Sequence, residues 1–475
     1  MIRYILGWIL MLEAGLLLLS CVVAVVYRER AGLSLVGTAL LCAVAGGCMT
    51  VKKPSDHKIY AKEGFVIVAL SWIVMSCLGA VPFVLSGAIP SYIDALFETA
   101  SGFSTTGASI LSDVESLPRC ILFWRSFTHW IGGMGVLVFV MAVIPLSGGT
   151  SIFLMRAESP GPSVEKLVPA AKKTAFILYA MYIAITLVEM VVLLLGRMPV
   201  FDSIVLTFGT AGTGGFGIRN DSLGSYTDFQ QIAVTVFMIL FGVNFNFYYL
   251  LYRKKWKEAV STLEVRVYFL VIFAATVLIA VNARGFFDSA FDAVKHSAFQ
   301  VATIITTTGY STVDFDLWPA FSKTILCVLM FVGACAGSTG GGMKISRFIL
   351  MFKALHKELD YVIHPRNIRK VTMDGKSVDH TVMRSVNMYF VAYIAIFVIS
   401  LFCISLDNLD MTTNFTAVSA ALNNIGPGLS LVGPTGNFGI FSPFAKLVLI
   451  FDMLAGRLEL FPMLILFSRH TWKNW

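Results

Sequence analysis

Four short polar stretches, set in an otherwise apolar chain, carry the residue types that can hold a dehydrated cation. They are Ser104-Thr105-Thr106-Gly107, Ala211-Gly212-Thr213-Gly214, Thr306-Thr307-Thr308-Gly309-Tyr310 and Asn423-Asn424-Ile425-Gly426. An ion stripped of water in an apolar medium costs on the order of tens of kcal/mol. Converging carbonyl oxygens can replace its hydration shell. Glycine permits the positive φ that such carbonyl orientations need. The candidate oxygens belong to Thr105, Thr106 and Gly107; Gly212, Thr213 and Gly214; Thr307, Thr308 and Gly309; and Asn424, Ile425 and Gly426. One Thr-Gly pair is an ordinary turn signal. Four, each between apolar runs, read as a single ring around an alkali-cation path.

A second feature lies after the third loop. Apolar character runs from Leu317 to about Leu355, interrupted by Gly333-Ala334-Cys335-Ala336-Gly337-Ser338-Thr339-Gly340-Gly341-Gly342. One unbroken helix would be about 57 Å long against a hydrocarbon core of about 30 Å. Three adjacent glycines each cost about 1 kcal/mol relative to alanine. The spacing predicts an intramembrane loop below the ring, with Gly337, Ser338, Thr339, Gly340, Gly341 and Gly342 as a gate. The competing reading is a tight helix contact through small residues. Gly337 to Lys344 has the wrong spacing for a phosphate-binding loop, and no strand precedes it.

Arg457 falls midway along the last apolar run. At the bilayer centre an arginine costs about 2.5–3.5 kcal/mol, so it should face a polar interior. It would bond loop carbonyls and oppose a passing cation, or else pair with Glu459 or Asp452. Lys344 reads as an interface anchor, Glu98 as a brace for the half-helix before the first loop, and His129 as a packed histidine. No second histidine stands at metal-ligand spacing, and the motifs of intramembrane enzymes (HExxH, GxSxG, paired acids) are missing from the sequence.

These loops need a scaffold in lipid. The chain has 475 residues, 57% hydrophobic and 13% charged, with a mean hydropathy of +0.79. Soluble domains carry about 25% charged residues. The composition therefore predicts an all-α polytopic membrane protein. The net charge of +8 fits basic loops that fix orientation and does not call for nucleic acid. Eight cysteines without a CxxC read as packed thiols.

Two apolar runs, Tyr4–Val26 and Gly32–Val51, are long enough to span and form an N-terminal appendage (residues 1–55). Four pseudo-repeated helix–pore loop–helix units follow around a central pore, at 56–150, 151–258, 259–358 and 359–475. Each reads as an outer helix, a short half-helix, a polar loop and an inner helix. The inner helices are expected over Cys120–Ile144, Gln230–Tyr252, Leu317 onward and Phe441–Phe467. Ten spanning and four re-entrant helices result. Half-helix C-termini would turn partial negative charge toward a cation. Basic segments holding Lys52, Lys53, Lys58 and Lys62, then Arg156, Lys166, Lys172 and Lys173, then Arg253–Lys257, then Lys353–Lys376, place both termini on the cytoplasmic side.

The quartet of loops resembles the Trk/Ktr/HKT superfamily of potassium transporters. Trp124-Arg125-Ser126, His129-Trp130-Ile131-Gly132-Gly133-Met134-Gly135 and Ala336–Lys344 strengthen the likeness. The two extra N-terminal helices are similar to the TrkH subfamily. The resemblance implies potassium (K+) as the transported ion and no organic cofactor. It assigns Gly107, Gly214, Gly309 and Gly426 as filter glycines, Gly333–Gly342 as the gating loop and Arg457 as the arginine beneath it. It further implies a homodimer in lipid in a bacterial inner membrane, one pore per subunit, and a cytosolic nucleotide-binding regulatory subunit of the TrkA type. The function expected is potassium uptake through a gated pore, with proton- or sodium-coupled symport as the alternative.

Overall fold

A computed structural model describes residues 1–52, 60–135, 171–365 and 370–473, without the side chains of 61 and 171–174. Lys53, Lys58, Arg156, Lys166, Arg366 and Arg369, and the expected continuation of the first inner helix over 136–144, lie outside the described residues.

Six described helices are long and apolar enough to cross a bilayer: Ile2–Tyr27, Gly32–Thr50, Lys62–Leu85, Ala175–Leu195, Leu263–Asn282 and His380–Asp407. The first two form the N-terminal hairpin. The other four are the outer helices, one per unit. Many of their large side chains are exposed, among them Leu187, Leu195, Phe273, Val281, Val391 and Phe402. In water such surface would be a liability; in lipid it is the solvent-facing side.

Inside this wall lie four short pore helices: Tyr92–Phe103, Val200–Gly212, Ala290–Ile305 and Met411–Leu422. At 1.5 Å per residue they cannot span. Acidic groups mark their N-termini. Asp94, Asp202 and Asp292 lie in the first turns, and Asp410 caps the fourth helix by accepting from the Thr413 N–H at 2.9 Å. Carboxylates there oppose the positive dipole end.

All four pore helices end in the same way. The Thr106 N–H donates to the Ser101 carbonyl (2.9 Å) and the Thr105 N–H to Gly102 (3.1 Å). The same pair of bonds recurs from Gly214 to Gly209 and Thr213 to Thr210, from Thr308 to Thr303 and Thr307 to Ile304, and from Ile425 to Ala420 and Asn424 to Ala421. This is the Schellman pattern, with a left-handed residue just past the helix. That residue is Thr105, Thr213, Thr307 or Asn424, at φ 56°, 54°, 60° and 56°.

Two of the inner helices differ from expectation. The second, expected unbroken over Gln230–Tyr252, is Asp228–Phe241 and Phe245–Tyr252 meeting at 89°. The bend receives the third unit's break: the Cys335 N–H donates to the Gly242 carbonyl (3.1 Å) and the Phe245 N–H to Gly337 (3.0 Å). The fourth, expected over Phe441–Phe467, stops at Arg457. The Leu460 N–H donates back to Ala455 (2.8 Å) and Glu459 is left-handed at φ 60°, a further Schellman ending. The third is interrupted at the stretch expected: it ends at Val332 and resumes at Ile345. Against the ten spanning helices expected, six among the described residues are long and apolar enough to cross by themselves, or seven with the bent second inner helix counted as one span. The second and third inner helices break, and the fourth stops, where they meet the ring.

The hairpin tip has a task that the sequence reading did not assign. Glu29 accepts the N–H groups of Arg119 and Cys120, each at 2.8 Å, and so caps the inner helix Arg119–Gly133. The Arg119 guanidinium lies over the Tyr27 ring at 4.4 Å. Replacing Glu29 with Ala leaves both amides without their carboxylate and is expected to cost about 1 kcal/mol. Glu29→Gln should lose less. Thermal unfolding of the detergent-purified protein reads both; an unchanged midpoint for Glu29→Ala would remove the cap from the account.

Candidate cation site

The four loops close into one ring, and glycine makes the closure possible. A Cβ placed on Gly107 would overlap the carbonyl oxygen of Gly214. One on Gly215 would overlap the Thr308 carbonyl, and one on Gly309 the Ile425 carbonyl. One on Gly426 would lie 2.8 Å from the Thr106 carbonyl. Each loop thus presses its glycine on the next loop's preceding carbonyl, in chain order, and the fourth returns to the first. The glycines sit at φ 79°, 76°, 88° and 98°, conformations that side chains rarely adopt.

This geometry shifts the register of the second loop by one residue. Gly215, not Gly214, is the structural counterpart of Gly107, Gly309 and Gly426. Gly214 stands where Thr106, Thr308 and Ile425 stand, and packs on the His129 ring. The Thr-Gly pair at 213–214 misleads because a second glycine follows it. All four ring glycines, with Gly215 among them, border one cavity of about 770 Å³ including its open mouth.

Buried polar contacts hold the loops from behind. Glu98 accepts from Arg125 Nε (2.6 Å), Ser109 Oγ (2.9 Å) and the Ile110 N–H (3.0 Å). Arg125 also donates to the Gly217 carbonyl (2.9 Å) and lies 3.5 Å from the Phe216 ring centre. One ion pair therefore joins the segments that follow loops one and two. The Tyr310 hydroxyl donates to Leu206 (3.0 Å), tying loop three to the second pore helix. Asn424 Nδ2 donates to Thr106 Oγ1 (3.0 Å) and to the Met453 carbonyl (2.8 Å), joining loops four and one. His129 is buried, its Nδ1 2.8 Å from the Gly102 carbonyl. Beside the cavity that the ring borders, Asn220 donates to Asp113 (2.9 Å). That hydrogen bond, foremost, holds the Asp113 carboxyl below the usual carboxylate range.

The break of the third unit lies directly beneath the ring. The Gly341 N–H donates to Thr307 Oγ1 (2.6 Å) and the Gly342 N–H to the Asn423 carbonyl (3.0 Å). Arg457 donates to the Thr339 carbonyl (2.7 Å) and to Gly132 (2.5 Å) and Gly133 (2.7 Å) at the end of the first inner helix. Of the carboxylates weighed against it, Glu459 pairs with Arg347 and Asp452 accepts from Ser400 (2.7 Å). Lys344 is not an interface anchor. It is buried, and its ammonium donates to the Gly340 carbonyl. Glu264 accepts the N–H groups of Ala336 (2.7 Å) and Ser346 (3.2 Å), fastening both ends of the break. Neither role was legible: an acid near a helix start and a lysine after glycines look like ordinary boundary residues. Among the described residues no cluster of His, Cys, Asp or Glu could hold a metal ion.

A polytopic all-α membrane protein with a fourfold ring of loops is the class that the fold and site define. The family model described as TrkH, cation transport protein, matches residues 34–474. The Trk system potassium uptake protein TrkH of Salmonella typhimurium is 34% identical over 100% of this chain and 99% of its own length. An uncharacterized cation transporter of Methanocaldococcus jannaschii is 31% identical over 100% and 96%. The crystal structure of the potassium transporter TrkH from Vibrio parahaemolyticus superposes with a TM-score of 0.89 at 31% identity, covering 99% of each chain. This chain belongs to the TrkH family of cation transport proteins, and is a transport protein rather than an enzyme.

Removing one member of the Glu98–Arg125 pair leaves the other buried without its counter-ion. Glu98→Ala is expected to cost about 3–5 kcal/mol. The apolar double variant Glu98→Leu/Arg125→Met should regain part of that loss. Thermal unfolding of the three proteins tests this; a single variant as stable as wild type would refute it.

Proposed function

We propose that the protein takes up potassium across a bacterial inner membrane through a gated pore, with the four-loop ring as its selectivity filter. The observation that carries this reading is the cyclic closure of four glycines on four carbonyls. On this reading the ion is coordinated by backbone and side-chain oxygens of Thr105, Thr106 and Gly107; Gly212, Thr213 and Gly214, with Gly215 added on geometry; Thr307, Thr308 and Gly309; and Asn424, Ile425 and Gly426. Pore-helix C-termini aimed at the ring add negative partial charge. The potassium named in several relatives' descriptions supports the choice of ion.

The stretch Gly337–Gly342 acts as the gate, held closed by Arg457. The bonds of Arg457 to Thr339, Gly132 and Gly133 support this role, because they tie the break to a neighbouring unit. The cationic side chain also opposes an ion leaving the ring. The protein works as a homodimer with one pore per subunit and with both termini cytoplasmic. A cytosolic nucleotide-binding subunit of the TrkA type docks on the basic inner segments. The Trk system named for the relatives supports such a partner.

Purified protein in vesicles should pass potassium down its gradient with protons and sodium clamped. Arg457→Ala should raise that flux several-fold in the absence of a regulator. No potassium flux from well-folded protein would sink the transport reading. Lower or unchanged flux in Arg457→Ala, with normal folding, would sink the arginine's role.

A further inference from the structure

We propose that the Thr307 hydroxyl is the latch of the break: it receives the Gly341 amide and so fastens the closed break to the ring itself. The inference rests on the gate reading above and assigns the contact that keeps the gate shut.

The argument comes from four equivalent positions with four different fates. Thr105, Thr213, Thr307 and Asn424 all occupy the left-handed residue past a pore helix. Thr213 Oγ1 donates within its own loop, to the Gly212 carbonyl (2.6 Å). Asn424 spends its amide on Thr106 and Met453. Thr105 Oγ1 is buried and has no hydrogen-bond partner among the described residues. Thr307 Oγ1 alone of the four accepts an amide from the break, the Gly341 N–H at 2.6 Å.

The contact is built and not incidental. The next amide, Gly342, reaches the Asn423 carbonyl at 3.0 Å. A Cβ on Gly341 would lie 2.5 Å from that same carbonyl and 3.0 Å from Asn424 Cβ. Only glycine lets two successive amides of the break seat on loops three and four. Buried amides carry a penalty when unpaired, so the break is stable under the ring only while those oxygens receive it. Withdrawal of the break frees the Thr307 hydroxyl, which then matches the unpartnered hydroxyl of Thr105. Opening the gate and completing the oxygen lining of the ring become one event.

A native reporter lies within the break. Cys335 is buried there, its N–H on the Gly242 carbonyl (3.1 Å). Full-length protein in vesicles is treated with a small membrane-permeant alkylating reagent, and Cys335 modification is followed by peptide mass spectrometry. Thr307→Val keeps the side-chain shape and removes the acceptor. It should speed Cys335 modification roughly 3- to 10-fold, the worth of one neutral hydrogen bond. Thr307→Ser should return the wild-type rate. Thr105→Val measures the loss of a ring hydroxyl that no amide receives, and the ratio of the two valine variants isolates the latch. Equal rates in those variants, or no acceleration in Thr307→Val, would overturn the proposal. This readout needs no ion flux, so failure of the latch stays distinguishable from failure of the potassium pore, which the vesicle flux reads separately.

Discussion

The close approach of each loop's glycine to the carbonyl of the next loop is the contact on which the architecture depends. It is a cyclic constraint. Every loop supplies the glycine for one neighbour and the carbonyl for the other. A side chain at any one of Gly107, Gly215, Gly309 or Gly426 would push a single pair apart, and a cycle cannot open at one point without moving the rest. The loops also carry strain. A threonine in the left-handed region costs roughly 1–2 kcal/mol, and three of the four units place one there. Such conformations persist only where their surroundings over-determine them.

Those surroundings are the buried polar contacts behind the ring. In lipid, irregular backbone is tolerated only when it is buried in protein or lines a cavity. Here most neighbouring loops are stitched together by a side chain. Arg125 reaches from the first unit to Gly217 of the second, Tyr310 from the third to Leu206 of the second, and Asn424 from the fourth to Thr106 of the first. The outer helices present an apolar face to lipid and add buried polar contacts inside: Glu264 holds both ends of the break, Ser400 bonds Asp452, and the Tyr393 hydroxyl accepts from Asn423 Nδ2 (2.8 Å). The N-terminal hairpin, outside the repeats, still joins it through Glu29, which fixes the start of the helix that carries Arg125 and His129.

Much of this was legible in the sequence because it follows from hydropathy and glycine. Long apolar runs marked the outer helices, short ones the pore helices, and Gly340-Gly341-Gly342 the break. What stayed hidden depends on contacts between distant parts of the chain. The second loop reads as Thr213-Gly214, yet Gly215 is the ring glycine, because register is set by which carbonyl the neighbouring loop presents. The bend at Gly242-Val243-Asn244 exists to receive residues 335–337, nearly a hundred positions later. The fourth inner helix ends after Arg457 in a left-handed glutamate that no propensity would favour. Lys344 and Glu264 look peripheral by position and prove central by partner.

Fourfold likeness and asymmetry serve different ends here. The ring needs four similar backbones, and the four Schellman endings supply them. A single break entering from one side needs the units to differ. Carrying all four units in one chain permits both. The left-handed position can hold a threonine without a partner among the described residues at 105, one bonded to its own loop at 213, one receiving the break at 307 and an asparagine that stitches two loops at 424. The substitution of Asn423-Asn424-Ile425 for a threonine-rich loop is then more than a lapse from symmetry. The Asn424 amide bonds both the first loop and the last inner helix, while the Asn423 carbonyl receives Gly342. A threonine carries a single hydroxyl hydrogen and could not supply the two donations that Asn424 makes. The fourth unit has exchanged a ring hydroxyl for the joint between ring, break and the helix that bears Arg457.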